Sequence, residues 1–486
     1  RSLGETKMMH LSTTDGAVTS DIYWNDTAPT NSVFTVNTSS TVNGNGLTYV
    51  AYLFAHHDGT GDFGDSEDKD VIYCGSYTST NGSALNVNGI GWETQWLMLK
   101  NSYGRNANWA MLDTMRGQSI QADDHPVLSA NENYAEQDVD ENGSPVPISK
   151  GFTLASGSYA EYNYSSDEIV YVALRMPDGV VGKPAEAGTD VLAITAGLDT
   201  PNDPNFVTNF VTDMAFWRNN PAAGTWWLAT RKTGTDYLSP NLTNAANTNS
   251  HYKWDHMNGW YVGPYELSLQ FGWNFKRGKG FDVLSQTMTG SSYQFWPHTC
   301  MGQAPEMMWM KKRDGTADWE VWHKDLNGGT ASYNWSVHLN DYEPEVESHS
   351  GNMWGLSNPP DANNVVVLDS YFGGSGDYTL LLFSSVTGIS KVGSYSGSSS
   401  DQTISTGFQP RFVIIRRIDT QQDWVLLDTV RGWAQGANDP RMEINQDTAP
   451  ITNTDFGYPT TDGFVLEGNL TKTNENGGDY IYYAHA

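Results

Sequence analysis

Two aspartate–arginine pairs at identical spacing are the residues most suggestive of chemistry in this chain. Asp113 and Arg116 lie in one copy of the motif Leu-Asp-Thr-x-Arg-Gly, and Asp428 and Arg431 lie in a second copy. A carboxylate beside a guanidinium has a lowered pKa and can orient a substrate. The same side chains can also fix a turn through bonds to backbone amides and carbonyls. Because a strand end needs its turn in every copy and an active site seldom needs duplication, we favour the structural role.

An acidic segment offers a second kind of chemistry. Carboxylate oxygens are the ligands that calcium prefers, and Asp58, Asp62, Asp65 and Asp68 fall within thirteen residues of the segment 58–70. Their spacing differs from that of an EF-hand loop, and dense acidic linkers are commonly just solvated. Calcium is therefore the one candidate cofactor, and a solvated linker is the alternative.

An aromatic cluster in a Gly- and Asn-rich stretch offers a third kind of site. Flat aromatic faces beside amide and carboxylate groups are a common way to hold sugars, through stacking and hydroxyl hydrogen bonds. Packing of the loop against its own domain is the alternative interpretation, which we favour. The candidate glycan-binding residues are Tyr252, Trp254, Asp255, Asn258, Trp260 and Tyr261.

No other spacing in the chain matches a catalytic motif. The sequence lacks a nucleophile elbow, a Ser/His/Asp order and a phosphate-binding Gly motif. We therefore predict that the chain is not an enzyme. A polysaccharide depolymerase stays open as an alternative function, because a glycosidase needs only two carboxylates that the fold brings together.

Charge and apolar run lengths restrict the binding partners. The 27 basic and 56 acidic residues give a net charge of −29, which repels nucleic acid and anionic membranes. No apolar run approaches the roughly 20 residues that cross a bilayer, so we expect no membrane insertion. Cys74 and Cys300 have neither a CxxC partner nor a histidine at zinc spacing, so the sequence predicts neither a disulfide framework nor a zinc site.

The elements that must position these residues are predicted to be short β-strands. Aromatic residues make up 12% of the chain, with 18 Trp and 25 Tyr, and such residues suit half-buried pleated surfaces. Asn, Gly, Ser, Thr and Asp crowd the segments between short apolar runs, where each lowers the cost of a turn. Asn-Gly and Asp-Gly pairs between apolar runs favour antiparallel hairpins.

Internal repetition is the strongest signal in the sequence. Five blocks between Cys74 and Ala173 recur in the same order between Val392 and Ala484. Two divergent copies lie between them, with Trp226 and Trp319 at the position that Trp109 and Trp424 hold in the complete copies. One unit spans about 100 residues, which suits a two-sheet sandwich.

The repeat predicts an all-β chain of tandem antiparallel β-sandwich units with a jelly-roll-like fold. Residues 1–57 resemble the second half of a unit, because Trp24 to Phe54 parallels Trp354 to Phe383, so we expect sequence upstream of Arg1. The predicted boundaries are 1–57 for this half unit, 58–70 for an acidic linker, 71–176 for a unit, 177–188 for a linker, 189–280 and 281–384 for two divergent units, and 385–486 for the last unit.

The repeated blocks also resemble a known group of proteins. Trp96 to Lys100, Trp109 to Gly117, Ala304 to Lys311 and Tyr480 to Ala484 are similar to a repeat family of virion structural and tail-fibre-like proteins in marine tailed phages, especially cyanophages. The resemblance covers nearly the whole chain and supplies no catalytic residues. It implies a structural or adhesive part of a virion appendage, such as a tail fibre, a receptor-binding protein or a capsid-attached fibre, assembled in the host cytoplasm.

The expected partners follow from this resemblance and from the exposed strand edges of such units. They are other copies of the chain, other virion proteins and host-surface polysaccharide. Phage appendages are usually closed homo-oligomers, and a trimer is our single expectation for the oligomeric state. A free array of carbohydrate-binding modules is the alternative to the appendage.

Overall fold

Short strands separated by turns make up almost all of the regular structure. The computed structural model describes residues 2–486 except 57–58, 65, 119–123, 141–143, 291–292, 349–352, 356–358, 369 and 437. In this part of the chain the paired strands are antiparallel and the helices are short turns. None of these helices has the length and hydrophobicity needed to cross a membrane. The predicted all-β, sandwich-type fold is confirmed.

The chain divides into two compact units, which are described separately. Unit 1 comprises residues 1–177 and unit 2 comprises residues 178–486. Unit 1 contains the N-terminal segment (residues 1–57) and repeat I (71–176), whereas unit 2 contains repeats II (189–280), III (281–384) and IV (385–486).

Unit 1 carries one complete repeat. The N-terminal segment has β1 (Lys7–Met8), β2 (Val18–Thr19), α1 (Asp21–Trp24) and α2 (Ser40–Asn43). Repeat I has β3 (Ile72–Thr78), β4 (Leu85–Val87), β5 (Thr94–Asn101), β6 (Ala110–Asp113), β7 (Asp124–Ser129), β8 (Gln137–Asp140), β9 (Pro145–Ile148), β10 (Gly151–Leu154) and β11 (Glu168–Arg175). Its large sheet has the order β3-β11-β5-β6-β7-β8, and its small sheet has the order β4-β10-β9.

Unit 2 carries three repeats of the same kind. Repeat II has β12 (Leu192–Ala196), β13 (Phe206–Val207), β14 (Met214–Asn219), β15 (Trp227–Thr230), β16 (Asp236–Leu238), β17 (Asn247–Thr248), β18 (Gly259–Trp260) and β19 (Gln270–Phe275). Repeat III has β20 (Phe281–Met288), β21 (Gln294–Pro297), β22 (Met307–Lys312), β23 (Glu320–His323), β24 (Trp335–His338), β25 (Val346–Glu347), β26 (Asn364–Val367) and β27 (Gly376–Phe383). Repeat IV has β28 (Ser390–Ser396), β29 (Gln402–Ser405), β30 (Phe412–Arg417), β31 (Val425–Asp428), β32 (Met442–Glu443), β33 (Gly457–Thr460), β34 (Gly463–Leu466) and β35 (Asp479–His485).

The large sheets share one topology. Their orders are β12-β19-β14-β15-β16-β17, β20-β27-β22-β23-β24-β25 and β28-β35-β30-β31-β32 in repeats II, III and IV. In every repeat the last strand lies inside the large sheet. It pairs with the first strand of the repeat on one side and with the third strand of the repeat on the other. The small sheets of repeats II, III and IV have the orders β13-β18, β21-β26 and β29-β34-β33. One face of each large sheet packs against the small sheet of the same repeat and forms a core there.

The opposite faces of the three large sheets in unit 2 pack together into a further core. Ring centroids lie 6.3 Å apart for Phe275 and Phe383, 6.3 Å for Phe275 and Phe412, and 5.1 Å for Phe383 and Tyr483. These pairs join repeats II and III, II and IV, and III and IV. Repeats II, III and IV therefore form a closed ring of three with a shared aromatic core.

Tryptophan side chains connect the repeats of this ring in cyclic order. The indole Nε1 of Trp319 donates to the backbone oxygen of Ser239 at 3.0 Å, so repeat III binds repeat II. The indole of Trp424 donates to His338 O at 2.8 Å, so repeat IV binds repeat III. Trp226 donates to Glu443 O at 3.0 Å and closes the ring between repeats II and IV.

A buried cation accompanies each tryptophan. Arg218, Lys311 and Arg416 occupy equivalent positions on β14, β22 and β30, because their partners in the register agree. Lys311 Nζ donates to Thr243 O at 2.9 Å, and an Arg218 guanidinium nitrogen donates to Thr448 O at 2.7 Å. Burial lowers the pKa of Lys311 to about 8 and that of both arginines to about 10. Such charges are tolerated in a protein interior only when their donors are satisfied.

The indole bond of Trp319 can be tested against a matched tryptophan in the same repeat. Trp319 and Trp322 are both fully buried, and the Trp322 indole nitrogen has no hydrogen-bond partner among the described residues. We expect Trp319→Phe to lower the free energy of unfolding of unit 2 by about 1 kcal/mol more than Trp322→Phe, because one buried hydrogen bond is lost in addition to volume. Denaturant titration of the full chain measures the difference. Equal losses would show that the indole bond contributes nothing.

Candidate functional site

The Asp428–Arg431 pair lies at the end of β31, and its two side chains are almost fully buried. Asp428 accepts the Arg431 backbone N–H through Oδ1 at 2.8 Å and the Arg431 Nε through Oδ2 at 2.6 Å. A further guanidinium nitrogen donates to Pro440 O at 3.0 Å, and the guanidinium lies 5.2 Å from the ring centroid of Trp273 in repeat II. The pair closes the turn after β31 and also contacts the ring core.

The Asp113–Arg116 pair repeats this geometry in repeat I. Asp113 accepts the Arg116 backbone N–H at 2.9 Å and the Arg116 Nε at 2.6 Å. In repeat II, Thr230 occupies the equivalent position and its hydroxyl accepts the backbone N–H of Thr233. In repeat III, His323 holds this position, and its Nδ1 accepts the backbone N–H of Asp325. Both divergent repeats thus keep a side-chain acceptor at the strand end while the residue type changes. All of these side chains are occupied by bonds within the fold.

The aromatic candidates of repeat II form a core instead of an open sugar platform. Tyr252, Trp254 and Trp260 are buried in the core of repeat II. The rings of Trp254 and Trp260 stack at 4.7 Å, and their indole nitrogens donate to Gly234 O and to Asn274 Oδ1. Because their faces are covered by protein, these three residues are not available for stacking on a sugar, and the alternative of loop packing describes them.

The remaining glycan-binding candidates lie at the edge of the same loop. Asp255 and Asn258 are exposed, and Tyr261 is half-buried. The Lys253 ammonium lies 5.0 Å from the Tyr261 ring centroid and covers one of its faces. The loop therefore presents one carboxylate and one amide to solvent without an adjacent uncovered aromatic plane among these candidates.

The predicted calcium ligands are only partly described. Asp58 and Asp65 lie outside the described residues. Asp62 and Asp68 are exposed, and Asp68 pairs with Lys69 at 2.7 Å. Among the described residues, one group has the composition and spacing of metal ligands, and it lies elsewhere in the chain, in repeat III.

This group consists of Asp318, His338 and Asp341. His338 Nδ1 lies 2.6 Å from Asp341 Oδ2, and His338 Nε2 lies 3.4 Å from a carboxylate oxygen of Glu320. Burial lowers the pKa of His338, but the hydrogen bonds to Asp341 and Glu320 outweigh it and raise the pKa to about 10. The described atoms of this group and Glu320 form an ion-pair network around His338, and the protonated imidazole has no lone pair for a metal. Its backbone is part of the ring, since His338 O accepts the Trp424 indole.

A small cavity of about 170 Å³ lies beside this network. Asp318, Glu320, Lys312 and Tyr371 contribute to its wall. Lys312 Nζ is bound to Gly373 O and Ser375 O at 3.1 and 2.9 Å. Ligand-binding clefts typically enclose about 300–1,000 Å³, so this cavity suits waters or a small ion better than a sugar residue.

No pattern in the sequence indicates the His338 network. Asp318 and His338 are twenty positions apart in the chain, and pairing between β23 and β24 brings their segments together. The spacing of His338 and Asp341 alone matches no metal or catalytic motif. Neither Cys74 nor Cys300 forms a disulfide.

The first prediction for this region concerns the buried pair of repeat IV. We expect Asp428→Asn to lower the free energy of opening of repeat IV by about 1–3 kcal/mol, because a buried charged hydrogen bond is lost. Hydrogen exchange on peptides of repeat IV in the full chain measures this change. Asp462→Asn is the control, since Asp462 bonds Ser405 on the surface, and it should leave the exchange rates unchanged. Similar losses in both variants would contradict a specific role for Asp428.

The second prediction concerns the His338 imidazolium. Its pKa in the folded chain is raised from 6.5 to about 10, so its contribution to stability is complete below pH 6.5 and disappears as the pH rises through 10. The difference in unfolding free energy between the wild type and His338→Gln should therefore shrink as the pH rises. Denaturant titrations across this range measure the difference, and groups that titrate in both proteins cancel. A difference that is independent of pH would contradict the ion-pair network.

Comparison with known proteins links the chain to one family. No curated protein and no solved structure matches the chain. A family model described as DUF7483, a domain of unknown function, matches residues 1–176 and 268–486. The unmatched residues contain most of repeat II, where the Asp/Arg motif is replaced. Because the match covers well over half of the chain, the protein belongs to the DUF7483 family.

Proposed function

We propose that the chain is a non-catalytic structural component of a bacteriophage virion appendage, such as a tail fibre, a receptor-binding protein or a capsid-attached fibre. In this role it mediates assembly with other virion proteins and contact with polysaccharide on the host surface. The observation that carries the structural part of the proposal is the use of the repeated residues. Some of them bind neighbouring repeats to one another, and others fix the turns at the ends of strands.

The contacts of these residues support a scaffold role. The indoles of Trp226, Trp319 and Trp424 all donate to backbone oxygens of a neighbouring repeat. Asp428 and Arg431 are almost fully buried and bind each other and backbone groups. A residue that serves catalysis must reach a substrate, whereas these side chains are bound to other groups inside the fold.

The ring and the net charge fit a particle component. Three sheets that share one core give a rigid body, which suits an element that transmits contact between a particle and a surface. The net charge of −29 opposes non-specific association between copies. The assignment to a phage appendage itself derives from the resemblance of the repeated blocks to virion proteins of marine tailed phages.

Location on a particle tests this proposal. We expect antibodies raised against the 486-residue chain to label intact virions of the phage that encodes it, at the tail or on the capsid, in negatively stained electron micrographs. Pre-immune antibodies on the same particles are the control. Chain that is found only in the particle-free fraction of a lysate, with unlabelled virions, would contradict the appendage.

A hydrolase assay separates the proposal from the depolymerase alternative. Purified chain is incubated with polysaccharide from the host surface, and new reducing ends are measured. We expect no release above that of heat-denatured chain, because the repeated polar residues bind within the fold. Release that scales with the concentration of native chain would favour the depolymerase instead.

A further inference from the structure

Repeat I carries the same apolar face that forms the shared core of unit 2. The registers of the large sheets place Trp96 and Met98 on β5 at the positions that Phe412 and Ile414 occupy on β30. The neighbouring strands agree, since Met111 pairs with Met98 as Leu426 pairs with Ile414. The large sheet of repeat I therefore has a face equivalent to the faces that meet in the shared core of repeats II, III and IV.

This face is covered less completely in repeat I than in repeat IV. In repeat IV the equivalent positions are fully buried within the ring, as Phe412, Ile414, Leu426, Met442, Tyr483 and His485. In repeat I the corresponding residues are only half-buried, as Trp96, Met98, Met111, Leu128, Val172 and Leu174. The strand β11 alternates between buried residues toward its own small sheet and half-buried residues on this face. Large apolar side chains that stay partly in solvent mark a surface for a partner.

The N-terminal segment already occupies one edge of the face. The Trp109 indole donates to His10 O at 3.0 Å, and Lys100 Nζ donates to Thr14 O at 2.9 Å. These bonds are the counterparts of the bonds from Trp319 to Ser239 and from Lys311 to Thr243. The segment thus takes the place that a preceding repeat takes in the ring, and it covers the edge but not the centre of the face.

The other edge of the face retains an open acceptor. Ser239 O and Glu443 O each accept two hydrogen bonds. One comes from a backbone N–H of the same repeat, and the other comes from an indole of a neighbouring repeat. Ser129 O, at the same position in repeat I, accepts the backbone N–H of Glu132 at 3.1 Å. Among the described residues no indole reaches it, so this edge has the geometry of a ring contact without the partner.

A second uncovered apolar element lies close in sequence. Residues 49–54 parallel the central strand β27, yet they form no strand, and Val50, Tyr52 and Leu53 are 80%, 83% and 75% exposed. In the described part of the chain their backbone groups make no hydrogen bond with other backbone groups. An extended apolar segment with unpaired backbone groups favours pairing with another chain.

We propose that a second copy of the chain packs on the half-buried face of repeat I. In unit 2 the equivalent faces of repeats II, III and IV, whose large sheets share the strand order of repeat I, cover one another. Their aromatic contacts show that such faces fit together. The faces of repeats II, III and IV bury each other, so repeat I offers the face of this kind that is left for association between copies. The inference rests on the proposed assembly role and names the surface that performs it.

Light scattering during gel filtration of the full chain tests this interface. We expect a mass that is a multiple of 53.6 kDa and that falls toward the monomer on dilution. The double variant Met98→Lys/Met111→Lys places charges in the centre of the face and should weaken association about tenfold or more. Met257→Lys is the matched control, because Met257 is 69% exposed in repeat II, and it should associate as the wild type does.

A second variant protects the test against misfolding. Leu53→Asp changes a side chain that is already in solvent, so its circular dichroism and melting should match the wild type while association weakens. A wild-type chain that stays monomeric at every concentration would overturn the interface, as would an oligomer that neither Met98→Lys/Met111→Lys nor Leu53→Asp weakens. Labelled virions together with a monomeric chain would overturn this interface alone, whereas an oligomer with unlabelled virions would overturn only the appendage.

Discussion

The arrangement of unit 2 depends on buried donors that reach the backbone of a neighbouring repeat. Apolar faces would adhere in many orientations, because the hydrophobic effect has no direction. An indole or a buried cation is stable only where carbonyl oxygens meet its N–H groups. Trp319 and Lys311 therefore fix how repeat III sits on repeat II, and the same pairing recurs around the ring. Direction comes from these few polar bonds, and most of the adhesion comes from the aromatic core.

The same constraint explains where the chain places its charges. The Arg431 side chain is buried, and two of its nitrogens donate to Asp428 and to a backbone oxygen. His338 keeps its proton because a carboxylate lies beside each nitrogen of its imidazole. A chain with few basic residues thus uses several of them inside the fold, where each fixes a turn or a contact between repeats. Most of the acidic residues are left to form a negative surface.

The repeated strands could be predicted from the sequence, whereas the ring and the loops could not. Alternation and turn residues act locally, so the all-β fold followed from them. Trp254 and Trp260 were candidates for sugar stacking because a sequence does not reveal which side of a loop meets a core. The His338 network needs pairing between β23 and β24. Residues 49–54 have the sequence pattern of β27, but they pair with no strand in the described part of the chain, so the pattern alone did not make them a strand.

The position of the last strand in each large sheet has a mechanical consequence. Ser390 at the start of repeat IV lies opposite His485 at its end, in an antiparallel pair. Tension applied at the two ends of the repeat therefore pulls on one end of the ladder between β28 and β35. The hydrogen bonds of this ladder are then loaded one after another. Such a geometry yields at lower force than shear, in which all the bonds of a ladder are loaded together. Resistance to a pull along the chain must come from the bonds between neighbouring repeats.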